Sequence, residues 1–542
     1  MKASVTTEVA TPLPESAENV FALPENASIS SKASLLRWME RATPLQLGVA
    51  NWAAAALMVF TLLLTPTLSG RKGMMNLTES WGALERVALW QRSLEWIPGT
   101  THDGLFISLP VPVIVYGFRL GMFAAFALQG WAFWQAWTGK QHSVWKWMIG
   151  PIGAHLVMLL LVPTNADVFF YAMSGNIAND GVNPYVDPLL NFSRDPFLPY
   201  NHWVEMTTVY GPYWTDINRI LVRIGQANPV PTVYAFKIFI GLVALGLVGL
   251  VYKLTRHITG NVRLATSAAV LVAWQPNMVF ESTGQVHNDI LMMLLATAGV
   301  ALAIYGGLRS IRGAIVLVAA SVMIKYLTLP LLGFMGLLRV AERRAPDAKR
   351  KILGQWIVDA IAIGAVFAAG FLPYWDGIRI LTELFKEPGR LFSHPFWAVQ
   401  YFALDAYLPW KYVSFYVETV RTSLQIATLL LVAWAAYVLI KSLWFNAPAN
   451  PDAFDDAESI PWWTGHLLIA FTTVITSLSL VPVNSHPWYW TWPVVPIALL
   501  VSWQRSQRGD SLTSVALPRW FWLYVAGSGL LTIIYNTRIV HN

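Results

Sequence analysis

The sequence predicts an all-α fold, a polytopic transmembrane helical bundle, and three observations carry that prediction. Of 542 residues, 55% are hydrophobic and only 12% are charged, where a soluble domain has about 25% charged residues. The mean hydropathy is +0.48. Apolar runs near the ~20 residues needed to cross a bilayer recur along the whole chain. The sequence contains no cysteine, which excludes disulfides, thiolate catalysis and zinc–thiolate sites. The net charge of +7 gathers in short loops between apolar runs, a membrane pattern with anionic lipid as the natural partner rather than nucleic acid. The 27 tryptophans read mostly as interfacial belts, and some could stack on sugars or on a long polyprenyl chain.

Residues 1–44 are rich in Ser, Thr, Glu and Pro and read as a disordered cytoplasmic tail. Its end, "SKASLLRWMERA", reads as a juxtamembrane amphipathic helix. About thirteen spans are expected, at 45–68, 108–137, 147–163, 231–254, 264–280, 290–307, 313–325, 327–340, 355–373, 414–442, 463–482, 488–503 and 519–536. Those at 313–325 and 327–340 are too short for a full crossing and read as two helices meeting near Lys325 around a cavity. Placing the N-terminus in the cytoplasm puts "GKQHSVWK", "YKLTRHITGNVR", "RSIR", "AERRAPDAKRK" and "WQRSQRG" on the cytoplasmic side, as basic loops require. The chain then divides into the tail, two N-terminal spans over 45–140, and a module over 141–542 with an outer loop at 164–230.

That topology gathers polar groups on the outer face. Asp167, just past the third span, is expected to be wet yet near lipid headgroups, and suits a general base worth about 10²–10⁴ in rate. "TNAD" ahead of "VFFYAMSGNIAN" is equally good helix-capping chemistry, and Gly181 with Pro184 reads as an ordinary helix stop. Within "TTVYGPYWTDINRILVRIG", Asp216, Arg219 and Arg223 form a charged face opposite Trp214, Ile217, Ile220, Leu221 and Ile224, the pattern of an interfacial helix. "GQVHND" places His287 and Asp289 at the mouth of a span. As two ligands they are too few for a metal site, and a polar substrate contact is the better reading. No cofactor is indicated; a divalent metal is allowed but has no signal. Lys325, inside "SVMIKYLTLP", is a costly membrane charge and thus a functional candidate that needs an anionic partner. His486, ahead of Pro487, Trp488 and Tyr489, could contact the same anion, and "FSHPFW" (392–397) also falls on this face.

The motifs "DVFFYAMSGNIANDGVNPYV", "YGPYW", "VHNDILMM", "IKYLTLPLL" and "HPWYWTWPVVP", in that order, make the chain resemble the polyprenol-phosphate-mannose-dependent mannosyltransferases of the GT-C superfamily. The likeness is greatest to the α-1,6-mannosyltransferases of bacterial lipomannan and covers approximately residues 45–540. The resemblance implies a multi-span helical enzyme that takes a hexose, mannose in the family, from a polyprenyl-phosphate donor to a glycan or glycolipid acceptor. Transfer would occur at the extracytoplasmic face of the cell membrane by one inverting displacement. The resemblance matches Asp167 to the family's outer-loop aspartate; together with the reading of the residues above, Asp167 is the expected catalytic base, and Lys325, His486 and His287 are expected on the donor phosphate. Asn288, Asp289, Tyr171, Tyr210, Trp488, Tyr489 and Arg219 would contact substrate. The chain departs from the family in having two spans before the Asp167 module. The residues flanking Asp167, Ala166 and Val168, also lack the second acid of the usual pair. A transporter or flippase of lipid-linked sugars, or a glycan ligase using a diphosphate-linked donor, are the alternatives; no internal repeat supports the first.

Overall fold

Helices build the molecule because its apolar runs lack the alternation of strands and because a bilayer leaves backbone groups no partners except each other. The computed structural model describes residues 42–63, 111–139, 143–161, 165–201, 203–344, 347–377, 404–446, 460–482 and 485–508, with isolated positions between them. Most of the expected N-terminal tail, its amphipathic helix, "FSHPFW" and most of the span at 519–536 lie outside the described residues. Among the described residues there is no β-strand.

Helix α1 (Pro44–Leu63) packs on α2 (Val111–Thr138) and α3 (Val144–Met158). After α3 come α4 (Asp167–Asn179) and α5 (Pro212–Ile224), which pack together, followed by α6 (Pro229–Thr259) and α7 (Val262–Ala273). A helical turn (Pro276–Val279) and a π turn (Phe280–Gly284) lead into α8 (Asp289–Gly306). Gly307, at φ +55°, reverses the chain into α9 (Ile311–Val322), which packs back along α8; glycine adopts this conformation without steric cost. Beyond α10 (Leu329–Leu337) lie α11 (Ala348–Phe371), α12 (Trp410–Phe445), α13 (Thr464–Leu480) and α14 (Val494–Gln507).

Among the described residues, five helical stretches are long and apolar enough to cross a membrane: Pro44–Thr61, Pro229–Thr259, Asp289–Val322 (the α8–α9 hairpin), Ala348–Tyr374 and Lys411–Phe445. The thirteen-span expectation is thus met only in part, because several of its spans are shorter or interrupted. The stretch at 264–280 is α7, a turn and the start of the π turn, and 488–503 opens as a 3-10 helix (Pro487–Thr491) before α14. The break expected near Lys325 is present, with α9 ending at Val322 and α10 starting at Leu329 across a 3-10 turn (Tyr326–Thr328). The apolar face expected of α5 differs from the one observed. Trp214 and Leu221 are buried together with Thr215 and Asn218, while Ile220 and Ile224 are exposed. The side of α5 turned inward is the one that meets α4, and that crossing passes over Gly175, where a Cβ would lie 2.6 Å from the Asn218 backbone.

Candidate active site

Asp167 opens α4, but it does not cap it. Ala166 occupies the N-cap position, and the Asn165 side-chain oxygen accepts the Asp167 N–H at 3.0 Å. The Asp167 carboxylate is thereby released from helix duty and held by three other donors. Trp203 Nε1 donates to one oxygen at 3.2 Å, and the Tyr171 and Tyr210 hydroxyls lie 3.4 Å from the other. The carboxylate was expected to be wet; with the residue 7% exposed, it is instead enclosed by these aromatic donors. Burial, with the neighbouring phenol and the Asp167 charge, pushes Tyr171 well above its ordinary value. Burial followed by the Asp167 charge does the same to Tyr210. Both phenols therefore remain donors.

His287 lies 3.7 Å from Asp167 through Nε2. It arrives from the strained turn after the π turn, where Val286 holds φ +67°, a conformation that costs a β-branched residue about 1–3 kcal/mol. The His287 Nδ1 donates toward both the Glu281 carbonyl, at 3.1 Å, and the Glu281 carboxylate, at 3.2 Å. Nε2 also faces the Asn165 amide at 3.0 Å. Burial alone would push the imidazole down, but the hydrogen bond and charge of Glu281, then Asp167 and Asp289, raise it above its ordinary value. Glu281 is itself raised by burial, against the opposing pull of His287.

An aromatic stack extends this centre. The Trp488 ring lies 4.0 Å from His287 on one side and 4.2 Å from His486 on the other, nearly parallel to both. Burial, then the charges of Lys325 and His287, push His486 down to about 3. It is a neutral imidazole, not the cation that phosphate binding would prefer.

Lys325 donates to Asp289 Oδ1 at 2.8 Å. Its ammonium also lies 4.6 Å from the Tyr489 ring, 5.6 Å from Trp492 and 5.8 Å from Tyr210, within cation–π range. Tyr210 therefore touches both the Asp167 carboxylate and the Lys325 ammonium, which places the two charges in one cluster. Three groups beside them have no hydrogen-bond partner among the described residues: both polar atoms of the Asn288 amide, Asp289 Oδ2 and Gln285 Nε2. Buried polar atoms normally pair, so these orphans leave donors and acceptors open to a polar ligand.

Arg219 is not brought to this cluster. It binds Asn179 and Asp216 at the far end of α4, about 18 Å along the helix from Asp167. Asn165, Trp203, Glu281 and Gln285 are site residues that the sequence reading did not select. Glu281 had a visible signal, a carboxylate within the apolar "NMVFESTG"; Trp203 was one of many tryptophans and had none.

The comparisons with known proteins point the same way. The family described as alpha-(1->6)-mannopyranosyltransferase, N-terminal domain, matches residues 74–341. The chain is 25% identical over 366 residues to a Mycobacterium tuberculosis protein named alpha-(1->6)-mannopyranosyltransferase A, covering 64% of each chain. It is 29% identical over 161 residues to a Corynebacterium glutamicum protein of the same name, covering 29% of this chain and 31% of that one. The first of these alignments spans less than two thirds of the relative, and no solved structure matches. Asp167, Tyr210, Glu281, His287, Asp289 and Lys325 all fall inside the region that is similar to the alpha-(1->6)-mannopyranosyltransferase N-terminal domain family.

Proposed function

We propose that the protein is a membrane mannosyltransferase that moves mannose from a polyprenyl-phosphate donor to a hydroxyl of a glycan or glycolipid acceptor. The observation that carries the reading is the shared cluster of one donor-held carboxylate, Asp167, and one membrane lysine, Lys325, joined through Tyr210. In this reading the acceptor oxygen attacks the anomeric carbon as Asp167 takes its proton. The bond to the phosphate oxygen breaks, and the polyprenyl phosphate leaves with the electron pair, inverting the anomeric centre. Lys325 offsets the charge that develops on the phosphate, the electrostatic role that dominates many transfers. His486, being neutral, contributes a single N–H, and the unpaired Asn288 amide and Gln285 Nε2 meet sugar hydroxyls. Trp488 and Tyr489 form the aromatic wall. The basic loops support an extracytoplasmic site, and the relatives' name supports an α-1,6 product.

Replacing Asp167 by Asn keeps the shape and removes the base. Transfer of radiolabelled mannose from polyprenyl-phosphate mannose should fall by about 10²–10⁴, with donor binding and thermal stability near wild type. Retained turnover would remove Asp167 from the chemistry.

A further inference from the structure

A recess lies at the end of the α8–α9 hairpin remote from Asp289. Helix α8 begins at Asp289 in the candidate active site and runs for 18 residues, about 27 Å, close to the ~30 Å of a bilayer's hydrocarbon core. At its far end the chain turns through Gly307–Ser310 into α9, whose second residue is Arg312. There a cavity of about 480 Å³ opens between the start of α9 and the first turns of α11. Arg312, Arg350 and Lys351 line it, with Asp347 as the one acid among the lining residues. Arg312 and Lys351 each have an acidic neighbour, Asp359 at 3.3 Å and Glu342 at 2.9 Å. Asp359, however, is already bound by Arg339 at 2.9 Å, so positive charge remains in excess. The space over Gly354 is open, since a Cβ there would meet nothing within 4 Å.

The surroundings of the recess select the occupant. Beyond the cations, α11 presents Leu353, Ile357 and Ile361 exposed on its outer surface, within a stretch apolar enough to span a membrane and only 11% buried by the protein. A cationic mouth above a lipid-facing apolar helix matches a molecule with an anionic head and hydrocarbon tails. We propose that this recess binds the phosphate headgroup of an anionic phospholipid, with Arg312, Arg350 and Lys351 around the phosphate and the acyl chains along α11.

The test uses the full chain purified in neutral detergent, with retained lipid counted by native mass spectrometry. Phosphatidylglycerol should bind in preference to phosphatidylcholine. In R350Q/K351Q its affinity should weaken roughly fivefold for each cation removed, at about 1 kcal/mol per basic group. Gly354→Trp, which fills the space and leaves the charge unchanged, should weaken it as well. Arg350, Lys351 and Gly354 are exposed, so these variants should fold, and unchanged far-ultraviolet circular dichroism checks it. Asp167→Asn must bind the lipid like the wild type. Equal binding of phosphatidylcholine, or unchanged phosphatidylglycerol binding in both recess variants, would overturn the proposal. Equivalent displacement by inorganic phosphate would overturn the lipid assignment, and loss in Asp167→Asn would place the lipid in the active site instead.

Discussion

At the scale of residues, Asp167 acts through its company. The Asn165 side chain takes over the first free N–H of α4, and the carboxylate is left to Trp203, Tyr171 and Tyr210. Glu281 performs a similar service for His287 by fixing Nδ1 as a donor, so that protonation is read out at Nε2. Above the raised His287 value, Nε2 accepts from the Asn165 amide; below it, Nε2 donates toward Asp167. The linkage has a definite sign. His287 is raised from 6.5 and Glu281 from 4.5, so the folded site binds protons more tightly than the unfolded chain. The resulting stability is complete below the ordinary values and is lost as pH rises through the raised ones. Thermal unfolding in detergent should therefore move to lower temperature as pH is raised from 6.5. Glu281→Gln should flatten that slope and shift the alkaline limb of any pH–rate profile, because it removes the charge that holds the imidazole up. An unchanged profile would show that the pair carries no proton that matters.

At the scale of elements, the close meeting of α5 with the break after α9 sets the distance between the two charged groups. Gly211, the N-cap of α5, donates its N–H to Ile324 at 3.0 Å, and a Cβ there would lie 2.0 Å from the Met323 carbonyl. Gly211→Ala should therefore cost about 1–3 kcal/mol and also lower transfer, because relief requires the segment carrying Lys325 to move. Thermal unfolding and turnover of the variant check this; wild-type values for both would mean the contact is slack. The sequence made part of this readable. A lysine in an apolar run announced Lys325 and the break beside it, and the order of aromatic and polar motifs announced Asp167, His287 and Trp488. The same rule applied to "YAFKIFIG" would have found Lys237, which is fully buried and donates to the Met158 and Leu161 carbonyls at the end of α3. The ion pair of Lys325 with Asp289 and the dyad of Glu281 with His287 could not be read, since both depend on how a π turn and a left-handed valine aim side chains. Helix lengths were misjudged for the same reason: apolarity continues through turns that hydrogen bonding interrupts.

At the scale of the whole molecule, the long helices differ in what covers them. Pro229–Thr259 and the α8–α9 hairpin, Asp289–Val322, are half or more buried by protein, whereas Ala348–Tyr374 and Lys411–Phe445 are 11% buried and present apolar side chains outward. The hairpin begins at Asp289 in the candidate site, and the outward apolar faces of the second pair suit contact with hydrocarbon. A charge on the second pair should therefore disturb insertion rather than chemistry. Ile361→Arg, at an exposed position midway along α11, should cost about 2.5–3.5 kcal/mol in the bilayer and reduce the membrane-inserted fraction. The protein that does insert should keep normal turnover per molecule. Normal insertion would show that this face of α11 is not in contact with hydrocarbon.

The salt link between Lys325 and Asp289 bears on how a reaction cycle would finish. If the donor phosphate binds Lys325 as proposed, it must win the ammonium from Asp289, and the spent carrier would leave as that carboxylate returns. On that reading the resting protein holds its own competitor, one that trades tight capture of the incoming lipid for prompt release of the outgoing one.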